Sequence, residues 1–345
     1  VVSIPLSYAQ AMEDVVLAQV FRGEPAGTYI DIGGGHAVAD NVTFWFYLAG
    51  WRGVVVEPQE HLHRAYAGLR PRDTALAVLV GASHGEADFH EVDRLHGFST
   101  MVTAHAESAG RFGADFSTSR KPITTLARLC EEHALSRIDL LKIDVEGAEA
   151  EVLAGADFSR HRPRVIVVEA VTPGSMQPAW DSFEPTILAA GYRFCFFDGL
   201  NRFYVADEAA PLAARFPQKP LPWENAAHLF DFGRAARNRK HPDHALAQLF
   251  RAEELAELAM LPAERLQAVL LSAPTVAAAK AAPDMLRAVA NLCGQPPMVG
   301  PSPWPRLAPT TPLADALAAI VASDALRAAL GRICPAYDGG FIMEE

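Results

Sequence analysis

The sequence predicts a doubly wound α/β fold, a mostly parallel seven-stranded sheet followed by an appended C-terminal helical region. Three observations carry this expectation. Short β-branched runs alternate with helical patterns from about residue 27 to 205, as a chain of βαβ units requires. Four of the runs end in an acid, at Asp31, Glu57, Asp144 and Glu169, and in an open parallel sheet such ends converge on one crevice. After about residue 206 prolines stand at 211, 217, 220 and 222, and alanine- and leucine-rich helical spacing takes over. The expected division is a sheet domain over 1–206 and a helical region over 207–345, in which no chemistry is legible.

Strands are expected at 28–31, 53–57, 74–80, 138–144, 165–169, 192–197 and 202–205. Helices fit between them at 41–49, closed by Gly50, then at 59–69, 125–133, 148–153, and 183–190, closed by Gly191. The turn-rich "DGLN" at 198–201 joins the last two strands as an antiparallel hairpin. Residues 81–121 break the alternation, with "GEADFHEV" reading as an extra strand and "GFSTMVTAHAES" as a loop overhanging the carboxyl edge of the sheet. In the tail, 244–260 and 313–330 read as helices of a small bundle.

With 345 residues, half of them apolar, the chain can bury a large core. A net charge of -11 without a basic run argues against a surface for nucleic acid or anionic membrane. Cysteines 130, 195, 293 and 334 are too scattered for a zinc knuckle or a disulfide framework and read as ordinary thiols. No apolar run approaches the roughly 18 residues of a membrane span, so a cytoplasmic protein is expected. The chain opens on Val1 and sets no expectation about what precedes it.

The stretch "YIDIGGGH", Tyr29 to His36, runs a strand into a glycine turn beside Asp31. A dinucleotide site would place a third glycine where Val38 stands, and Asp31 would repel a pyrophosphate. S-adenosylmethionine has no phosphate and carries an ammonium, a carboxylate and a sulfonium, so a strand-end acid beside exposed backbone N–H groups suits it better. Glu57, about 24 residues beyond Gly33, stands where an acid accepts hydrogen bonds from ribose hydroxyls.

"SYAQAMEDVVL" (7–17), "GTYIDIGGGHAVADNVTFWFYLAGWRGVVVEP" (27–58), "IDLLKIDVEGAEAEVLAG" (138–155), "RPRVIVVEA" (162–170) and "FFDGLNRFYV" (196–205) together resemble the FkbM-type methyltransferases. The resemblance implies a class I, Rossmann-like, S-adenosylmethionine-dependent O-methyltransferase acting on a hydroxyl of a sugar, glycan or glycosylated natural product. Carried over by position, Asp31, Gly33 and Gly35 match the cofactor turn, with Gly34 between them, and Glu57 and Pro58 the ribose corner. His36, a further candidate cofactor contact, stands with Ala37 where the family has small or polar residues and faces either the methionine end or the acceptor. Ala82 and Ser83, after Gly81, fall where such enzymes hold adenine. The implied partner is a small-molecule or glycan acceptor, with no nucleic acid and no membrane span; the oligomeric state is unknown, and a homodimer stays open.

Methyl transfer to an alcohol needs in-line approach to the methyl carbon and a group to take the hydroxyl proton. The candidates are Lys142, Asp144, Glu146 and Glu169, with Asp144 the first choice as acceptor-side acid or base and a second contact to the cofactor. Lys142, inside a strand, is either an ion-pair partner of Asp31 or Asp144 or a base whose pKa burial has lowered. Glu146 is alternatively a helix cap beside Gly147. Asp144, Glu146 and Glu169 are also candidate oxygen ligands for a divalent cation. Of the histidines in the insertion, His96 and His105 are the candidate bases over the acceptor. Tyr8, Gln10, Glu13 and Asp14 form an entrance segment or a seal on the sheet edge, and Trp45, Phe46 and Trp51 read as packing. Two rivals stay open: a cofactor-binding, non-catalytic partner of a glycan-assembly system, and an NAD(P)-dependent oxidoreductase, against which the absence of any Tyr-x-x-x-Lys pair counts.

Overall fold

The computed structural model describes residues 6–93, 95–172, 175–294 and 304–334, and the side chains of His96 and Ala256 lie outside the description. Seven strands form the central sheet: β1 (Thr28–Ile32), β2 (Arg52–Val56), β3 (Thr74–Leu76), β4 (Leu140–Ile143), β5 (Val165–Glu169), β6 (Tyr192–Phe197) and β7 (Asn201–Ala206). Their spatial order is β6-β7-β5-β4-β1-β2-β3. The five strands from β3 to β5 run parallel, while β7 is antiparallel to both β5 and β6. The chain winds outward from β1 to β3 and then returns to β4 on the other side of β1. The order therefore reverses between β1 and β4, and the crevice opens at their carboxyl ends.

The parallel strands are apolar on both faces, as strands sandwiched between helices must be. Ile30, Leu141, Ile166 and Val168 are buried to within 1% of zero exposure, leaving polar side chains in these strands to find partners inside the protein. Register supplies one such pair, because Asp31 lies directly opposite Lys142.

Local chemistry moves several expected boundaries. The run 74–80 is two strands: β3 stays in the main sheet, whereas Leu79–Val80 leaves it to pair with Phe116–Thr124. The latter strand was not legible, since "FSTSRKPIT" is exposed over most of its length and has no apolar alternation. It pairs antiparallel with the expected Gly85–Val92, making a three-stranded sheet. The segment read as a loop holds a 3-10 turn, His96–Phe98, and a short helix, Thr103–Ser108.

The tail is helical but more broken than its spacing suggests. The stretch 244–260 divides into His244–Ala247, Ala252–Ala256 and a 3-10 turn, and 313–330 divides at Ser323, whose hydroxyl accepts from the Leu326 N–H and caps the helix Asp324–Ile333. The tail shares one continuous apolar core with the sheet domain. Gly331 packs so closely on Val38 that a Cβ there would lie 2.2 Å from a valine methyl, and Gly68 meets the Ala259 carbonyl in the same way at 2.0 Å. Four free thiols are present, and among the described residues no helix is long and apolar enough to cross a membrane.

Candidate functional site

β1 ends in the glycine turn, and its geometry explains the glycines. Gly33 has φ +77°, and a Cβ there would stand 1.7 Å from the Asp144 carbonyl oxygen, so the ends of β1 and β4 pass only because position 33 has no side chain. The N–H groups of Gly33 and Gly34 both donate to the Val56 carbonyl at 3.0 Å, and that of Gly35 donates to Glu57 Oε2 at 2.8 Å. The backbone donors expected to face a ligand are therefore already engaged within the protein.

Behind the turn lies a polar network that the sequence did not announce. The Arg70 side chain is fully buried, paired with Asp73 at 2.7 Å, and donates to Asn41 Oδ1 at 2.9 Å and Thr43 Oγ1 at 3.0 Å. Asn41 Nδ2 in turn donates to the Gly34 carbonyl at 2.8 Å, and Thr43 Oγ1 to Asp31 Oδ2 at 2.6 Å. Asp31 thus lies behind the cavity wall, joined to it through Lys142.

A cavity of about 250 Å³ opens at this corner. Gly33, Gly34, Gly35, His36, Glu57 and Pro58 form one side. Glu57 is buried, its other oxygen accepts from the Gln59 N–H at 2.7 Å, and burial pushes its pKa up to about 7. The insertion supplies an apolar wall with Phe89, Leu95, Phe98 and Met101, joined by Val78 and Leu79. Ala82 and Ser83, expected at adenine, are exposed and do not line the cavity, because the chain turns away at Gly81 into the hairpin. The signal for the true wall was present as isolated apolar residues in a polar stretch.

At the far side stand the acids. Lys142 Nζ lies 3.4 Å from Asp31 and 3.3 Å from Asp144, and donates to the Gly33 carbonyl at 2.5 Å. Burial alone would lower the ammonium pKa, but Asp144 and Asp31 outweigh it and hold it above the ordinary lysine value. That removes the reading of Lys142 as a base and leaves the ion pair. Asp144, Glu146 and Glu169 each place a carboxylate oxygen within 4.8 Å of the others. Burial, and then the neighbouring carboxylates, push Glu146 and Glu169 well above the usual range. Glu149, not Glu146, accepts the N–H groups of Val145 and Gly147 at 3.1 and 3.0 Å, so the expected cap belongs to Glu149.

His105 does not reach the cavity. Its Nδ1 donates to the Glu146 carbonyl at 2.8 Å, as does Thr100 Oγ1 at the same distance, which fixes the loop from behind and replaces the expected role as a base. The side chain of His96 lies outside the described residues. Of the N-terminal segment only Gln10 lines the cavity; Glu13 accepts from Asn201 Nδ2 at 2.7 Å and Asp14 from the Tyr8 N–H at 2.7 Å, tying the segment to β7 and to itself. Phe46 and Trp51 pack with Phe21 in edge-on and tilted ring contacts, and Trp45 is half-buried on the same helix.

Comparison with known proteins gives this corner a family. A stretch of 48 residues is 50% identical to the methyltransferase sdnD of Sordaria araneosa, covering 14% of this chain and 18% of that protein. The crystal structure of the methyltransferase FkbM from Methylobacillus flagellatus KT matches 52% of this chain and 43% of its own at 14% identity, with a TM-score of 0.33. The chain thus spans less than half the length of either relative. The profile of the Methyltransferase FkbM domain matches residues 29–194, from the first residues of β1 to the middle of β6. This stretch contains the glycine turn, Glu57 and the three clustered acids, and over residues 29–194 the chain matches the Methyltransferase FkbM domain.

Proposed function

We propose that the protein is an S-adenosylmethionine-dependent O-methyltransferase whose acceptor is a hydroxyl of a sugar, glycan or glycosylated natural product. One observation carries the reading: a single cavity runs from Glu57 and the glycine turn to Asp144, Glu146 and Glu169. Its lining holds five carboxyl groups, those of Asp40, Glu57, Asp144, Glu146 and Glu169, against the one ammonium of Lys142, which favours a ligand carrying positive charge and disfavours a pyrophosphate. The turn's three N–H groups are taken by Val56 and Glu57, so they are open neither to a dinucleotide phosphate nor to the carboxylate of S-adenosylmethionine, and the acidity of the lining is what separates the two.

The cofactor, when bound, supplies an electrophilic methyl group on sulfur. Glu57 is placed to accept hydrogen bonds from the ribose hydroxyls while Gly35 and Gln59 fix its carboxylate. The apolar wall of Phe89, Phe98 and Met101 suits a flat base. Asp144, on the acceptor side of the cavity, would take the proton of the acceptor hydroxyl. Lys142 holds Asp144 in position and remains charged throughout.

The methyl acceptor would enter beside Gln10, Thr172 and Met176, which line the cavity's acidic end. The described part of the helical region, 207–294 and 304–334, buttresses the helices that follow β1 and β2 through Asp324, Gly331 and Ala259, and we assign it a supporting part. Incubation with radiolabelled S-adenosylmethionine and a panel of sugar and glycoside acceptors tests the reading. Label transferred to a hydroxyl supports it; transfer only to nitrogen or carbon acceptors refutes the O-directed assignment.

A further inference from the structure

The three acids at the ends of β4 and β5 form a cluster larger than proton removal requires. One general base needs one carboxylate, yet Asp144, Glu146 and Glu169 bring oxygens within 4.8 Å of one another, and of the three only Asp144 is paired with Lys142, whose ammonium Asp31 already shares. A point exists no farther than about 2.8 Å from all three oxygens, so an inward shift of each carboxylate by under about 1 Å reaches the roughly 2.1 Å of a magnesium–oxygen bond. A second observation points the same way. Glu169 is 9% exposed and lines the cavity, and its Oε2 is buried without a hydrogen-bond partner among the described residues. Burial and mutual repulsion hold Glu146 and Glu169 towards their neutral forms, and a cation at this point would supply the positive partner that lets all three acids ionise together.

We infer that Asp144, Glu146 and Glu169 bind one hard divalent cation, Mg²⁺ or Mn²⁺, whose remaining coordination positions face the cavity and receive oxygens of the acceptor. Oxygen-only ligands and three acids select a hard ion over zinc or copper. Lys142 stands outside the set, its Nζ held by Asp31 and the Gly33 carbonyl, and acts as a counter-charge to Asp144. The function of the ion in catalysis rests on the methyltransferase reading, whereas its binding does not. A cation here restricts good acceptors to those offering two neighbouring oxygens, as a vicinal diol does.

The experiment uses the full chain, stripped with chelator and dialysed, and follows free Mn²⁺ by its electron paramagnetic resonance signal. S-adenosylhomocysteine is titrated calorimetrically in parallel. The expected result is one Mn²⁺ bound per chain, displaced by excess Mg²⁺, with affinity reduced at least about tenfold in Glu169→Gln and in Glu146→Gln. The exposed-site variant Asp284→Asn is expected to bind Mn²⁺ as the parent does. Two variants are used so that misfolding of one, read from its thermal transition, leaves the other to decide. Absence of Mn²⁺ binding in a parent protein that binds S-adenosylhomocysteine overturns the cation site and leaves the methyltransferase reading standing. Mn²⁺ binding that neither variant weakens also overturns it. Mn²⁺ binding without S-adenosylhomocysteine binding supports the cation site and refutes the cofactor assignment.

Discussion

Glu57 is the residue at which structure and pH meet. Its native pKa of about 7 lies above the ordinary 4.5, so between those values the native state holds a proton that the unfolded chain has shed. Stability contributed through this group therefore falls as pH rises across that window. Ribose hydroxyls donating to the carboxylate favour its charged form, so affinity for S-adenosylhomocysteine should rise with pH up to about 7, with proton release on binding. Calorimetry at about pH 6 in two buffers of different ionisation enthalpy reads that release; equal heats would contradict it, and Glu57→Gln should abolish both the release and the pH dependence. Asp144→Asn has a different signature. Methyl transfer should fall by about a hundredfold or more, while S-adenosylhomocysteine affinity stays within about tenfold, and unchanged turnover would remove Asp144 from the chemistry.

At the scale of elements, the site is held by the junction of β1, β4 and the helix after β2. Gly33→Ala would drive a methyl into the Asp144 carbonyl, a backbone atom that cannot turn aside. The variant should lose S-adenosylhomocysteine binding and melt at a lower temperature, and normal binding would show that the junction tolerates separation. Arg70→Ala breaks a fully buried pair with Asp73 and should cost about 3–5 kcal/mol in urea denaturation. Strand ends, the glycine turn and the acid cluster were legible because period, punctuation and terminal acids agree there. The Arg70 network was not, since its members stand 29 and 27 positions apart from Asn41 and Thr43 and meet only through the fold. The strand Phe116–Thr124 was hidden for another reason: it is mostly exposed, so no apolar alternation marks it. His105 was misread because a loop histidine gives no sign in sequence of which way its ring turns.

Across the whole molecule, the helical tail is part of one core and closes back on the N-terminus. Arg332, buried in the helix Asp324–Ile333, donates to Asp243 at 2.6 and 2.7 Å, to the Gly294 carbonyl at 3.1 Å and to the Tyr8 hydroxyl at 3.4 Å. Arg332→Ala strands Asp243 as a buried charge and should cost about 3–5 kcal/mol of stability. Below its melting transition that variant should bind S-adenosylhomocysteine like the parent, because none of these groups lines the cavity between Glu57 and Glu169. Altered affinity with intact folding would instead make the tail part of the site. The sequence marked the tail as helical and as distinct in composition, but nothing in its spacing told that Gly331 and Gly68 would serve as close contacts between the two regions.

The central claim is that the cavity at the β1–β4 switch point takes S-adenosylmethionine. Isothermal titration of the full chain with S-adenosylhomocysteine, with NADH and NADPH as parallel ligands, tests it most directly. The account predicts one site per chain of micromolar affinity for S-adenosylhomocysteine, weakened in Glu57→Gln, and no binding of either dinucleotide. Binding of a dinucleotide in place of S-adenosylhomocysteine would contradict the account.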